Sequence, residues 1–520
     1  MINATKDKLQ SYFWGDVQYL VPYFQRPYVW DDDNWVNFWE NIKEIYKDSQ
    51  ANKDREHFIG TLILKQRIAE EHGQNQYDLI DGQQRLTTVS ILLRCLHDSC
   101  KGTLPKLKEQ IYRLIVFEDA WGKTFLKIRS CRIDLPYFKA VVQNGCTTGL
   151  VNSEHRIIRA YNYFISQVQD YSDEEIDSIK NILLEKVPVI SMLLSSDDDE
   201  QVIFDTINSL GVKLTTAELL KNHIFKEDKL ENLYTQLWEP VFEADESTVQ
   251  FWDKDKTAGR TIRKNIEVLL YCYLIIMTKS EIQLDRLYKE YKTWLKDLSI
   301  EDKTKFLIDL RQHAEIYDDF PEGEQLNEIS YDEDEKRFFH IIENLSITTA
   351  YPLILFVYRE VDDQSERLEI LKLLESYLVR RNICHLTTKN YNNLFISMIK
   401  KLVKQKEDGD KITLQNIKDI LSSYTEDSNK FPEDGAVRLA FKDAVLSNQN
   451  AREILYLISL YQISSPLADI HKLSLSSYSV EHMLPVKWKT HWPIADMDEQ
   501  KQAMRDKTLK TLGNLTLAGC

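Results

Sequence analysis

The chain of 520 residues carries 82 acidic and 66 basic side chains, a formal net charge of −16, with 43% hydrophobic and 28% charged residues, the make-up of a globular protein long enough for several cores. The acidic excess excludes a protein that coats DNA non-specifically, since lysine and arginine contacts to phosphate supply most of such affinity, and any DNA contact must use local basic patches. No run approaches the roughly 18 uninterrupted apolar residues of a membrane helix, the opening MINATKDKLQ lacks the apolar core of a secretory signal, and the seven cysteines include no Cys-x-x-Cys pair, so the expectation is a cytoplasmic protein with reduced thiols and no membrane contact.

In chain order, alternating apolar positions predict short strands at Val17–Tyr23, Phe58–Lys65 and Tyr77–Ile80, with Gly73-Gln74-Asn75 as a turn before the last and helical periods beginning at Asn34 and Gln83. Val187–Leu194 reads as a further buried strand, followed by an acidic turn, Asp197–Glu200, that opens a helix. Beyond Glu200 the period is helical almost throughout, as in Ile262–Met277, Ser365–Val379 and Tyr391–Val403, with acidic connections at Glu315–Glu335 and Glu407–Asp410. The chain thus divides into an α+β region over 1–225, a large mainly helical middle over 226–430 and a C-terminal region over 431–520.

Two segments of the first region carry chemistry. Val21-Pro22-Tyr23-Phe24-Gln25-Arg26-Pro27-Tyr28-Val29-Trp30 packs aromatics, an amide and a guanidinium around two rigidifying prolines. Arg26 can fork onto a phosphate while Tyr23, Phe24 or Trp30 offers a π-face to a base, or the rings can simply be core. Tyr77 to Thr88, YDLIDGQQRLTT, reads as strand, glycine turn and helix start, a place where backbone N–H groups meet an anion. There Asp81 can hold a magnesium ion or cap the helix, Gln83 and Gln84 can position a water or base, and Arg85 can neutralise a phosphate; a capped helix with a solvated first turn is the alternative. No G-x-x-x-x-G-K-[ST] phosphate loop occurs. Farther on, Gly211 suits a helix C-terminus and Thr215-Thr216-Ala217-Glu218 has capping-box spacing, which puts Asn208 and Lys213 on or beside a tight inter-helix loop.

At the other end, Tyr478-Ser-Val-Glu-His-Met-Leu-Pro485 precedes Leu512-Gly-Asn-Leu-Thr-Leu517. Lys487, Lys489, Lys501, Arg505, Lys507 and Lys510 outnumber the acids between them, which suits a DNA-facing strip.

PYFQRPYVW, FIGTLIL, YDLIDGQQRLTTVSILL and FDTINSLGVKLTTAELLKNHIF, in this order, resemble the GmrS-like N-terminal domain of the GmrSD-type modification-dependent restriction endonucleases, and YSVEHMLP with LGNLTL resembles their GmrD-like His-Asn-His nuclease domain. The resemblance implies a ParB/sulfiredoxin-like α+β core with a pocket for nucleotide or modified DNA built from Gln25, Arg26, Asp81, Gly82, Gln83, Gln84 and Arg85, alongside Tyr23 and with Asn208, Lys221 and Asn222 as further contacts. The stretch Glu375–Cys384 with Thr388–Asn392 is similar to the family's helical continuation, where Arg380 and Arg381 meet DNA phosphates or pair with acids. In the nuclease finger His482 would be the general base, Glu481 a metal ligand and Asn514 the residue that orients the imidazole. Family members run on into a helix with further metal ligands, so an incomplete ββα-metal finger is expected, from truncation, decay, or a homo-oligomer or partner subunit that supplies the rest. The implied cofactors are a divalent metal such as Mg2+ and ATP, GTP or another nucleoside triphosphate. The implied activity is nucleotide-dependent sensing and cleavage of modified, phage-type DNA. A nucleotide switch or DNA-binding module with an inactive finger is the rival reading. A purely structural protein would require Arg26, Asp81 and Arg85 to stand apart or be locked in internal ion pairs.

Overall fold

The computed structural model describes residues 4–67, 75–119, 121–145, 154–194, 215–225, 230–258, 261–465, 470–494, 498–509 and 511–519. They fall into two compact units, Met1–Glu231 and Asn232–Cys520. The first is α+β and the second mainly helical.

The first unit is built on a mixed six-stranded sheet. Its strands are β1 (Ala4–Lys8), β2 (Val17–Leu20), β3 (Thr61–Gln66), β4 (Asn75–Asp81), β7 (Ile128–Arg129) and β8 (Pro188–Leu194), while β5 (Val116–Glu118) and β6 (Thr124–Leu126) form a separate hairpin. The spatial order is β1-β8-β3-β4-β2-β7. β3 runs parallel to β8 and antiparallel to β4, and β4 is parallel to β2. Consecutive burial of Leu62, Ile63 and Leu64 marks β3 as covered on both faces, which is why its sequence reads as an unbroken apolar run. The helix Gln83–Ser99 is apolar nearly all round, with Val89, Ile91, Leu92, Leu93, Cys95 and Leu96 wholly buried, and this fixes its start against the sheet. Burial of each large apolar side chain contributes about 1.5–3 kcal/mol, so its first turn is held by a core far larger than the site itself. The predicted strands are all present, with ends shifted by a few residues. β1 was not predicted because ATKDK is an exposed edge strand without alternation. Gly73, Gln74 and the Asp197–Glu200 turn lie outside the described residues.

In the second unit the helices Asn265–Thr278, Ile300–Asp318, Tyr351–Glu360, Gln364–Ile383, Tyr391–Glu407 and Asn448–Ile463 carry most of the core. The helix expected from Ile262 starts only at Asn265, because β-branched Thr261 and Ile262 belong to β10 (Thr261–Lys264), paired with β9 (Asp255–Ala258) and clipped by Lys264–Asp255 at 2.8 Å. A short pair, β11 (Glu328–Ile329) with β12 (Leu473–Ser474), precedes the C-terminal ribbon of β13 (Tyr478–His482) and β14 (Leu515–Gly519). Val480, Leu512 and Leu515 of the ribbon region join Ile454 and Ile383 in one apolar cluster, so two long helices support the ribbon.

Candidate functional site

β4 ends at Asp81, and Gly82, with a φ of 99°, lets the chain turn directly into the helix Gln83–Ser99. A Cβ there would stand 2.7 Å from Leu62 Cδ1, so both conformation and space select glycine. The cap position is this glycine, and no side chain caps the helix. Of the two roles open to Asp81, capping is thereby corrected; its carboxylate lies 3.5 Å from the Arg85 guanidinium. The first-turn N–H groups keep the partial positive charge of a helix start.

The aromatic loop is fastened to this turn by glutamines. Gln25 Nε2 donates to the carbonyls of Leu79 and Ile80, each at 3.1 Å. Gln83 Nε2 donates to the Arg26 carbonyl at 2.9 Å, and Gln84 accepts from Val29 N–H at 2.8 Å while donating to the Pro27 carbonyl at 3.1 Å. Gln84 thus binds backbone through both amide atoms, and Gln25 and Gln83 through their nitrogens. Tyr28 anchors the loop from below: its N–H donates to Asp134 at 2.7 Å and its hydroxyl accepts from Trp35 Nε1 at 2.8 Å. Tyr23 donates its hydroxyl to the Phe225 carbonyl at 2.8 Å and sits edge-on to Phe24.

Arg26 and Arg85 both belong to the N-terminal end of this helix, Arg26 through its carbonyl on Gln83. Arg85 Nη1 donates to the Thr61 carbonyl at 2.8 Å and passes so close over Gly60 that a Cβ there would lie 2.6 Å from Arg85 Nε. Arg26 lies 3.6 Å from Glu218. Glu218 is the third residue of the helix Thr216–Ile224 and closes the expected capping box with Thr215. Both guanidiniums are partly exposed, 28% and 23%, and both ion pairs are long. Gly60 and Thr61 are site residues the sequence reading did not name, although both lie in a motif it singled out, and Glu218 was named there only for its capping box. Lys221 is buried and Asn222 half-buried; Asn208, Gly211 and Lys213 lie outside the described residues.

In the C-terminal ribbon His482 pairs with Leu515 and Glu481 with Thr516. Strand alternation puts His482 on the face of core-packed Val480 and Glu481 on the face of Ser479, whose hydroxyl reaches it at 3.5 Å. Asn514 was expected to orient the imidazole. Instead, its buried amide accepts from Leu484 N–H at 2.8 Å and donates to the carbonyls of Leu484 and Leu509 at 3.2 and 3.0 Å. It therefore fixes the backbone immediately after His482, whose ring has no hydrogen-bond partner among the described residues. No group of three or more His, Cys, Asp or Glu side chains able to hold a metal occurs among them either. Glu481 and His482, on opposite faces, do not by themselves fit a divalent cation.

The basic strip is largely paired. Lys489 meets Asp506 at 3.1 Å, Lys501 meets Asp498 at 3.3 Å and Lys507 meets Asp443 at 2.8 Å, while Arg505 lies over Trp488; Lys510 is outside the described residues. Arg381 is wholly buried and donates to the carbonyls of Thr387, Asp427, Ser428 and Lys430, which removes it from DNA contact. Arg380 pairs with Asp434 at 2.7 Å.

Residues 6–225 match the N-terminal domain of the GmrSD restriction endonucleases and residues 431–519 match their C-terminal domain. The chain belongs to the GmrSD restriction endonuclease family. The Gly82 turn, both arginines and Glu218 lie inside the first match, and the His482 ribbon inside the second. An uncharacterized protein of Methanocaldococcus jannaschii is 26% identical over 270 residues, 45% of this chain and 43% of that protein. The chain thus matches less than half the length of this relative. No described helix is long and apolar enough to cross a membrane.

Proposed function

We propose that this GmrSD-family chain is a nucleotide-dependent restriction endonuclease that senses modified, phage-type DNA through its first unit and cleaves through its C-terminal ribbon. The observation that carries the nucleotide half is the pair of partly exposed arginines, Arg26 and Arg85, whose carboxylate partners stand at 3.6 and 3.5 Å, at a helix start without a side-chain cap, Arg85 being aimed there by its 2.8 Å bond to the Thr61 carbonyl. A phosphate can replace each carboxylate, gaining the N–H groups and positive end of the helix as well. The mixed sheet is read as a ParB/sulfiredoxin-like core whose glutamines rigidify the pocket wall, with ATP or GTP as ligand and Asp81 as the magnesium-facing carboxylate.

For cleavage, the half-buried His482 removes a proton from the attacking water, and Asn514 positions it by fixing the next peptide. The ribbon is read as the two strands of a ββα finger. Metal ligands beyond Glu481 would have to come from outside the described residues.

The test is phosphate release from ATP and GTP with magnesium, run beside plasmid nicking on modified and unmodified DNA. Arg85→Ala is expected to abolish turnover with an unchanged melting curve, and His482→Ala to abolish nicking while turnover persists. Unchanged turnover in the first, or unchanged nicking in the second, removes that residue from its role. Turnover without nicking in the parent favours the nucleotide-switch reading.

A further inference from the structure

In the second unit a cavity of about 730 Å3 opens among the helices Asp334–Asn344, Gln364–Ile383, Asp434–Asp443 and Asn448–Ile463, in the size range of small-molecule sites, roughly 300–1,000 Å3. None of the residues invoked so far for nucleotide turnover or cleavage lines it. One wall is apolar, formed by Val379, Ile383, Phe441, Ile454 and Ile458. The same side chains cluster with Val480, Leu512 and Leu515, so this wall is also the support of the His482 ribbon.

The mouth carries two tyrosines. Tyr331 and Tyr461 meet edge to face with centroids 5.3 Å apart at 70°. Tyr331 is held from its other side by the Arg337 guanidinium, 4.6 Å from the ring centre, whereas Tyr461 is 64% exposed. A rigid ring beside a free one is a stacking platform. The remaining lining offers both hydrogen-bonding senses. Ser376 accepts from Arg380 Nε at 3.0 Å and so keeps its O–H to donate, Lys372 donates, and exposed Asp332 accepts. The lining cations Arg337, Lys372 and Arg380 are balanced by Asp332, Asp334 and Glu375. Arg337 is already bound by both oxygens of Glu375 at 3.1 Å and by Asp334 at 2.9 Å.

We infer that this cavity receives a single unstacked nucleobase of the DNA. A flat, uncharged, amphipathic ligand with donors and acceptors on one edge fits an apolar wall, a tyrosine platform and a mixed polar rim. A free nucleotide shares the base, but its polyphosphate would meet a lining whose cations are all matched by acids. The inference rests on the reading of this chain as a DNA-cleaving enzyme and deepens it: a base drawn into a cavity that backs the ribbon places its strand beside the catalytic histidine. Extruding a base costs a few kcal/mol, least where pairing is already weak, so mismatched positions enter most readily.

The test uses the full chain and 30-base-pair duplexes with one 2-aminopurine, opposite thymine or opposite cytosine, following fluorescence and affinity together. Binding is expected to raise the fluorescence, more for the mismatch. Tyr461→Ala is expected to bind about tenfold more weakly, the loss typical of one base–aromatic stack. Leu457→Trp, which fills the cavity without touching its charges, is expected to abolish the rise, both variants keeping the parent melting curve. Duplex binding with no rise and equal affinity for parent and variants overturns the cavity assignment while leaving the nuclease reading intact. A rise removed by millimolar ATP or GTP would assign the cavity to free nucleotide and likewise overturn it. Failure to bind or nick any DNA would overturn the nuclease reading, and the base site with it.

Discussion

Asn514 shows how one side chain can serve a site without touching its reactive group. All three of its hydrogen bonds go to backbone, at Leu484 and Leu509, and it is 6% exposed. Asn514→Ala strands an N–H and two carbonyls in a dry place, an expected loss of roughly 2–4 kcal/mol measured by denaturant unfolding. Asn514→Asp retains only the acceptor and should fall between. If Asn514 instead acted by orienting the imidazole, nicking would fall in both variants with little change in stability. Lys127 poses a different question. It is 2% exposed, its ammonium donates to the Phe13 carbonyl, and it has no carboxylate within ion-pairing distance among the described residues. Burial pushes its pKa down to about 8 from 10.5. The folded protein therefore binds this proton more weakly than the unfolded chain, so stability is gained as pH rises from 8 towards 10.5 and lost as it falls through that window. Lys127→Met abolishes the term. Its stability relative to the parent should be greatest at pH 7 and decline steadily up to pH 10, and a difference independent of pH would show that the lysine is not desolvated.

At the scale of elements, the N-terminal site is a strand, a glycine turn and a helix with an aromatic loop fastened across it, and the helix Thr216–Ile224 contributes one carboxylate. Glu218 has two duties, closing the cap with Thr215 and engaging Arg26. Glutamine serves the first but not the second, because a capping box accepts Glu or Gln at this position. Glu218→Gln should therefore leave thermal unfolding nearly unchanged and tighten nucleotide binding several-fold by removing the competing carboxylate. Weaker binding would mean that Glu218 itself faces the ligand. Much of this arrangement was legible in the sequence. The apolar run of β3 and the DGQQR turn are local patterns, and local patterns survive into structure. The glutamines were legible as important but not in their task, since which carbonyl an amide reaches is set by a loop some 55 residues away in sequence. Likewise, Arg380 and Arg381 look equivalent in sequence. Helix phase buries one beneath Tyr377 and Tyr391 and leaves the other at the surface, a difference fixed by tertiary packing.

For the whole molecule, a charge of −16 and the proposed DNA substrate have to be reconciled. The paired lysines of the C-terminal region suggest how. Lys489, Lys501 and Lys507 are each held by an exposed carboxylate, and such pairs are worth about 0–1 kcal/mol, so a phosphate can displace the acid at little cost. Such a displacement changes the salt dependence. A free lysine that neutralises a phosphate contributes a slope of about −0.9 in log K against log salt, because a counterion leaves the DNA. A lysine that must first leave a carboxylate contributes less, since the freed acid gathers a cation in turn. DNA binding followed by fluorescence anisotropy between about 50 and 200 mM salt should therefore give a slope shallower than about −3. Replacing the three acids by amides, Asp443→Asn, Asp498→Asn and Asp506→Asn, removes the internal competitors. In Asp506→Asn the side-chain oxygen can still accept from Trp488 Nε1. The triple variant should bind DNA more tightly and show a slope steeper by up to about 3, one step for each lysine released. An unchanged slope would place the phosphate contacts elsewhere on the chain, with Lys489, Lys501 and Lys507 serving only to hold the region together.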